Sequence, residues 1–190
     1  MAKVYVFLAD GFEDVEALIP VDVLRRGGVE VVTVSIMADS QVVTSAHDVS
    51  VVADALFADS SFADATALLL PGGMPGAENL YEHEGLRRLL QAHHAGGRLI
   101  GAICAAPAVV LGQMGLLHGR QATCYPGFEQ LLHGATYTGQ LCTVDGLFVT
   151  AEGPAAAFPF AYQLLSMLVG ADTARQVAEG MRYAHLMSTR

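Results

Sequence analysis

Short apolar runs alternate with segments of helical periodicity along the whole chain, a pattern that predicts an α/β layer architecture around a mostly parallel sheet. Val4 to Ala9 reads as the first strand, followed by a helix from Asp14 to Arg26 that Gly27 and Gly28 end. Val29 to Ser35 is the next strand. Between Gln41 and Val52, two β-branched runs flank Ser45-Ala46-His47-Asp48, which predicts an antiparallel hairpin attached to the main sheet. Ala67 to Leu70 is a short buried strand that ends in Pro71-Gly72-Gly73. A helix over Gly85 to Ala95, a strand over Arg98 to Ile103 and a helix over Ala106 to Met114 come next. Late strands, Gln140 to Val144 and Leu147 to Thr150, are joined through the hairpin dipeptide Asp145-Gly146. Two helices, Ala155 to Val169 and Thr173 to Arg182, close the chain.

Composition sharpens this picture. Of 190 residues, 53% are apolar and 15% charged, against about 25% charged in an average domain, so the chain is a core-rich globule rather than a disordered one. Its length and the absence of repeats or linkers predict one domain. Ten basic against 19 acidic residues leave a net charge of −9, and every basic side chain except Lys3 is an arginine. Such a field repels phosphate backbones and anionic lipid, which argues against nucleic-acid binding and membrane docking. The uncharged stretch from Gly153 to Ala171 is interrupted by Pro154, Pro159, Gln163 and Ser166, and reads as a buried helix rather than a span. Met1 to Asp10 lacks a signal-peptide cleavage pattern, and Cys104, Cys124 and Cys142 cannot all pair within one chain. Reduced thiols in a cytoplasmic protein are the simpler expectation.

In open parallel sheets, ligands collect beyond the carboxyl ends of the strands, which nominates Asp10 to Asp14, Pro71 to Gly76 and the turn at Cys104. Cys104 sits between the apolar strand Leu99-Ile100-Gly101-Ala102-Ile103 and a helix with Pro107 near its first turn. Ala102-Ile103-Cys104-Ala105-Ala106 is small-x-nucleophile-x-small, the steric requirement of a nucleophile elbow. Amides at the following helix start favour a thiolate, and the Ala105 amide would face a developing oxyanion. The alternative reading is a small, inert, buried side chain in an alanine-rich turn.

Adjacent Gly72 and Gly73 permit close backbone approach to a ligand and supply a candidate second oxyanion amide; a plain glycine turn would look the same. Without a GKS sequence the segment is no phosphate loop. Glu16 shares a helix face with Pro20, Val23 and Leu24, and Pro20 lacks the amide that would bond its carbonyl. Desolvation there would raise its pKa and keep it protonated, able to donate to a thiolate. A solvated first-turn carboxylate is the alternative, and the one expected of Glu13 and Asp14.

Five segments in order resemble the ThiJ/PfpI superfamily, in particular the subgroup of the parkinsonism-associated protein deglycase: 8–16 (Leu8 to Glu16), 19–27 (Ile19 to Gly27), Leu70-Pro71-Gly72-Gly73, 76–80 (Gly76 to Leu80) and 102–107 (Ala102 to Pro107). The segments Asp145-Gly146-Leu147 and Glu152-Gly153-Pro154 are similar as well. The resemblance implies a flavodoxin-like, doubly wound, mostly parallel sheet with helices on both faces, and a homodimer. It implies Cys104 as the reactive thiolate, Glu16 as its protonated partner, and Gly73 and Ala105 as amide donors. It further implies action on small α-oxoaldehydes such as methylglyoxal, as a glutathione-independent glyoxalase or a deglycase, in stress protection, with no metal or organic cofactor. A redox sensor or chaperone using an oxidisable Cys104 is the alternative.

Three positions depart from the pattern. Tyr125 stands where the subgroup commonly has histidine, and a phenol is a poorer base than imidazole at neutrality; it could instead orient the substrate or thiolate, or simply form a pocket wall. His47 replaces an arginine, and Val52 a cysteine, found in relatives. Ala105 after the nucleophile removes the Cys-His pair of the protease relatives. His83, His93, His94, His118, His133 and His185 show no metal-ligand spacing and read as surface residues. Cys124 is a candidate resolving thiol for Cys104 if the two lie close enough.

Overall fold

Strict alternation on the first strand divides the interior in two. In the computed structural model, which describes residues 1–188, β1 (Lys3–Leu8) turns Val4, Val6 and Leu8 to one face and Tyr5 and Phe7 to the other. The chain continues through α1 (Asp14–Arg26), β2 (Glu30–Ser35), β3 (Val42–Thr44), β4 (Ser50–Val52), β5 (Ala55–Leu56) and β6 (Ala67–Leu70). Then come α2 (Gly76–Glu82), α3 (Glu84–Ala95), β7 (Leu99–Ile103), a π-helical segment (Pro107–Gly112), β8 (Gln121–Ala122) and β9 (Thr136–Tyr137). The hairpin β10 (Cys142–Asp145) and β11 (Phe148–Ala151) leads into α4 (Ala157–Val169), α5 (Ala171–Gly180) and α6 (Tyr183–Ser188).

Seven strands form the main sheet in the order β10-β11-β7-β6-β1-β2-β5, parallel except for the β10–β11 pair. Val23 and Leu24 of α1 with Phe160, Leu164 and Leu165 of α4 cover one face. Leu80, Leu86 and Leu90 of α2 and α3, with Val110 and Leu111 of the π-helical segment, cover the other. Sheet order reverses between β1 and β6, so the loops leaving both open into one crevice, beside the turn that leaves β7. The three nominated segments therefore meet at one sheet end.

The predicted doubly wound fold and the bounds of α1 and β6 match the structure, and several details differ. The hairpin β3–β4 is its own two-stranded ladder rather than part of the main sheet. It is tied to the loop after β1 by Gly11 N–H to the Thr44 carbonyl at 2.8 Å and a Phe12–Ser45 bridge. Helix α2, two turns long, was too short to register as a period; it buries Ala77 and Leu80, and Asn79 donates to the Asp10 carbonyl at 2.9 Å. The helix after Cys104 is a π-helical segment of six residues, with Gln113 N–H reaching the Ala108 carbonyl at 3.2 Å. A Cβ on Gly112 would come within 2.3 Å of the Leu131 carbonyl oxygen, so the widened turn presses on the loop below it.

His93, expected at the surface, is fully buried in the last turn of α3, its Nε2 3.0 Å from the Leu99 carbonyl oxygen. His83 caps the same helix, its Nδ1 accepting from Leu86 N–H at 2.9 Å. Burial, aided by nearby Arg98, pushes His93 down from 6.5 to about 4. The unfolded chain therefore takes up a proton before the folded one as pH falls, and the stability linked to His93 is complete above pH 6.5 and lost toward pH 4. Denaturant unfolding of the protein and of His93→Gln, followed from pH 7 to pH 4.5, should show the wild type losing on the order of 2 kcal/mol relative to the variant. Parallel curves would remove this role of His93.

Candidate active site

Cys104 terminates β7 with φ 65°, a left-handed conformation that costs a residue with a Cβ about 1–2 kcal/mol and persists only where neighbours enforce it. The neighbours are backbone groups. Cys104 N–H donates to the Ala151 carbonyl at 2.9 Å, and its own carbonyl accepts from Tyr125 N–H at 2.8 Å. Strand β11 and the loop at Tyr125 thus hold the elbow from two sides, and Cys104 retains 8% exposure at the mouth of the crevice.

Glu16 comes from the first turn of α1 and is 2% exposed. Glu13, at the N-cap, accepts Glu16 N–H at 2.9 Å and fixes the start of the helix. Glu16 Oε2 accepts Gly72 N–H at 2.9 Å, while Oε1 has no such partner and the carboxyl faces the Cys104 thiol. Gly72 is required by this contact, because a Cβ there would stand 2.6 Å from the Cys104 Cβ and 2.8 Å from Glu16 Oε2. Gly73, at φ +85°, is packed so closely that a Cβ would come within 2.4 Å of Glu13 N. The amides of Gly73 and Ala105 both reach the Cys104 sulfur. Gly72, expected as an oxyanion donor, instead has its N–H committed to Glu16.

Burial raises Glu16 from 4.5 to about 7, and the Glu13 charge adds to this, while the thiol and the Gly72 amide pull it back. Burial and the Glu16 charge push the Cys104 thiol up to about 12, opposed by the Gly73 and Ala105 amides. The expected depression by the helix start is thus outweighed, first by burial and then by Glu16; a six-residue segment carries little dipole, and the two neighbouring amides supply the opposing pull. The two groups titrate as a pair. Cys124 and Cys142 are pushed up to about 12 and about 11, with burial the largest cause in both, and receive no such amides.

The structure brings Cys104, Glu16, Gly72, Gly73 and Ala105 together. Tyr125 joins them through its backbone only: its side chain is 45% exposed and lines an adjoining cavity. Cys124 lies in the opposite core layer from Cys104. Asp14, expected to be solvated, accepts from Ser45 Oγ and pairs with His47 Nδ1, each at 2.6 Å. Glu13, Asp14 and His47 bring ligand atoms within 4.8 Å of one another, but the Glu13 and Asp14 carboxylates already hold these internal partners.

Because its folded pKa lies above its unfolded one, Glu16 favours folding as pH falls from 7 to 4.5 and opposes it above pH 7. Glu16→Gln should therefore be more stable than the wild type at pH 8 by on the order of 2 kcal/mol, the difference vanishing near pH 4.5. Chemical denaturation at the two pH values reads this, and a constant difference would contradict the raised carboxyl.

A profile of the DJ-1/PfpI family matches residues 2–167. "Protein DJ-1 homolog B" of Arabidopsis thaliana is 39% identical over 178 residues, covering 93% of this chain and 40% of that protein. The chain spans about two fifths of the length of the two Arabidopsis relatives that it matches. A Caenorhabditis elegans protein named "Glutathione-independent glyoxalase DJR-1.2" is 30% identical over 161 residues, 84% of each chain. Among solved structures, oxidized Toxoplasma gondii DJ-1 superposes with a TM-score of 0.91 at 37% identity, over 95% of this chain and 98% of that one. With its crevice, elbow and carboxyl arranged on this sheet, the chain belongs to the DJ-1/PfpI family.

Proposed function

We propose that this is a cysteine-dependent stress-protection enzyme acting on small α-oxoaldehydes without glutathione. One observation carries the reading: a sulfur on a left-handed elbow, between two amides and a carboxyl whose pKa is raised to about 7. The name of the C. elegans relative supports the same chemistry. In this mechanism the Cys104 proton passes to Glu16 as sulfur attacks the aldehyde carbon of methylglyoxal, and the hemithioacetal oxyanion forms against the amides. Glu16 hands that proton to the oxyanion and, ionised again, takes the C1 proton and delivers it to C2 while the hydroxyl proton passes from O1 to O2, leaving a lactoyl thioester. Water hydrolyses that ester to lactate and returns the thiol, so the net reaction is aldehyde plus water to hydroxy acid. Carboxyl-to-sulfur proximity makes Glu16, rather than Tyr125, the proton carrier.

A homodimer is part of this reading, supported by the exposed apolar Val15 and Leu18 on α1 and Val49 and Val52 at the hairpin. A cytoplasmic setting is supported by three unpaired cysteines. No helix of the described residues is long and apolar enough to cross a membrane.

A second reading is a redox sensor in which peroxide oxidises Cys104 to a sulfinate held by the Gly73 and Ala105 amides and a protonated Glu16. The oxidized state of the Toxoplasma structure favours it.

Lactate formation from methylglyoxal, followed by NMR, should vanish in Cys104→Ala and drop about 100-fold or more in kcat for Glu16→Gln. Turnover by Cys104→Ala equal to wild type would sink the enzyme reading. Under mild peroxide, intact-mass spectrometry should show two added oxygens, mapped by peptide analysis to Cys104; their absence there rejects the sensor.

A further inference from the structure

Beside the elbow lies a cavity of about 240 Å³ lined by Tyr125, Pro126, Leu141, Glu152, Gly153 and Pro154, with Ala155 and Ala156. Its walls are apolar apart from the Tyr125 phenol and the Glu152 carboxylate. Three features give it a ligand class. First, Glu152 is half-buried, and among the described residues its carboxylate has no ion pair or hydrogen bond, although its N–H is fixed to the Leu141 carbonyl at 3.0 Å. Second, Gly153 leaves room for the aromatic ring, since a Cβ there would stand 3.1 Å from Tyr125 Cδ2. Third, Glu129 and Glu152 both act electrostatically on neighbouring Tyr137, so negative charge gathers on this side of the cavity, and no basic residue lines it.

An apolar cavity with an aromatic ring and an unpaired carboxylate suits a planar cation. A guanidinium can stack on Tyr125 while its N–H groups pair with the Glu152 oxygens, and its methylenes lie along Leu141 and Pro154. An ammonium offers no such plane. We infer that this cavity is a subsite for a guanidinium group, and that it holds arginine-bearing ligands beside the elbow. The backbone bond from Tyr125 to the Cys104 carbonyl ties one wall of the subsite to the backbone of the elbow. Its catalytic meaning rests on the aldehyde reading above; the binding itself does not require turnover. A net charge of −9 draws the same class of ligand toward the chain.

The test is an NMR titration of the full chain with Nα-acetylarginine methylamide, the neutral isostere Nα-acetylcitrulline methylamide, and Nα-acetyllysine methylamide. The arginine compound should shift the amides of Tyr125, Leu141 and Gly153 and bind about tenfold tighter than the citrulline compound, with lysine between them. Glu152→Gln should bring the arginine-to-citrulline ratio to about one, and Leu141→Arg, at an exposed wall position, should block binding with its own guanidinium. Equal affinities in the wild type, tighter lysine binding, an unchanged ratio in Glu152→Gln, or shifts that map elsewhere would overturn the inference. So would cavity signals that move with protein concentration alone, which would make a second copy the occupant. Arginine binding without lactate formation would remove the enzyme reading and leave the subsite standing.

Discussion

A carboxyl and a thiol, both taken out of water and set face to face, are the constraint on which the rest of the site depends. Neither group can ionise without regard to the other, because each charge is poorly solvated and raises the cost of its neighbour's. The pair is therefore a proton store poised close to neutrality. Everything around it serves that geometry: Glu13 caps the helix that carries Glu16, Gly72 N–H anchors one carboxyl oxygen, and the amides of Gly73 and Ala105 compensate charge on sulfur.

Backbone placement gives this arrangement its rigidity. The elbow is held by hydrogen bonds from β11 on one side and the loop backbone at Tyr125 on the other, so the strained φ is secured by backbone groups and not by side chains. Glycines 72 and 73 close the remaining gap, one through contact with the pair itself and the other through the loop after β1. Substitution at either position acts on the chemistry by displacing the backbone.

Much of the fold was legible because β1 and β6 are short continuous apolar runs bounded by turn residues, and α1 pairs an apolar face with a glycine stop. The face that carries Glu16 was legible as partly apolar from Pro20, Val23 and Leu24, whereas the burial of the acid itself was not, since a solvated first-turn carboxylate has the same spacing. Helix α2 escaped because two turns cannot establish a period, and the π-helical widening has no compositional sign. His93 left a signal that was overlooked: Leu86, Leu90 and His93 share one face of α3, which points inward. The direction of the thiol shift was not legible, because desolvation depends on tertiary depth and on which neighbour is ionised. Nor could a linear pattern place the Tyr125 ring, whose backbone belongs to the elbow while its side chain belongs to the next cavity.

The two buried cysteines pack into different hydrophobic clusters, which bears on redox chemistry. Cys124 packs in the cluster of α2 and α3 and Cys104 in that of α1 and α4, although the Tyr125 N–H bond to the Cys104 carbonyl brings their backbones together. Capture of a singly oxidised Cys104 by Cys124 would draw at least one of the two side chains out of its own cluster. Soluble reductant reaching the crevice mouth, rather than a bond to that internal neighbour, then determines whether the first oxidation is repaired or proceeds to an irreversible acid.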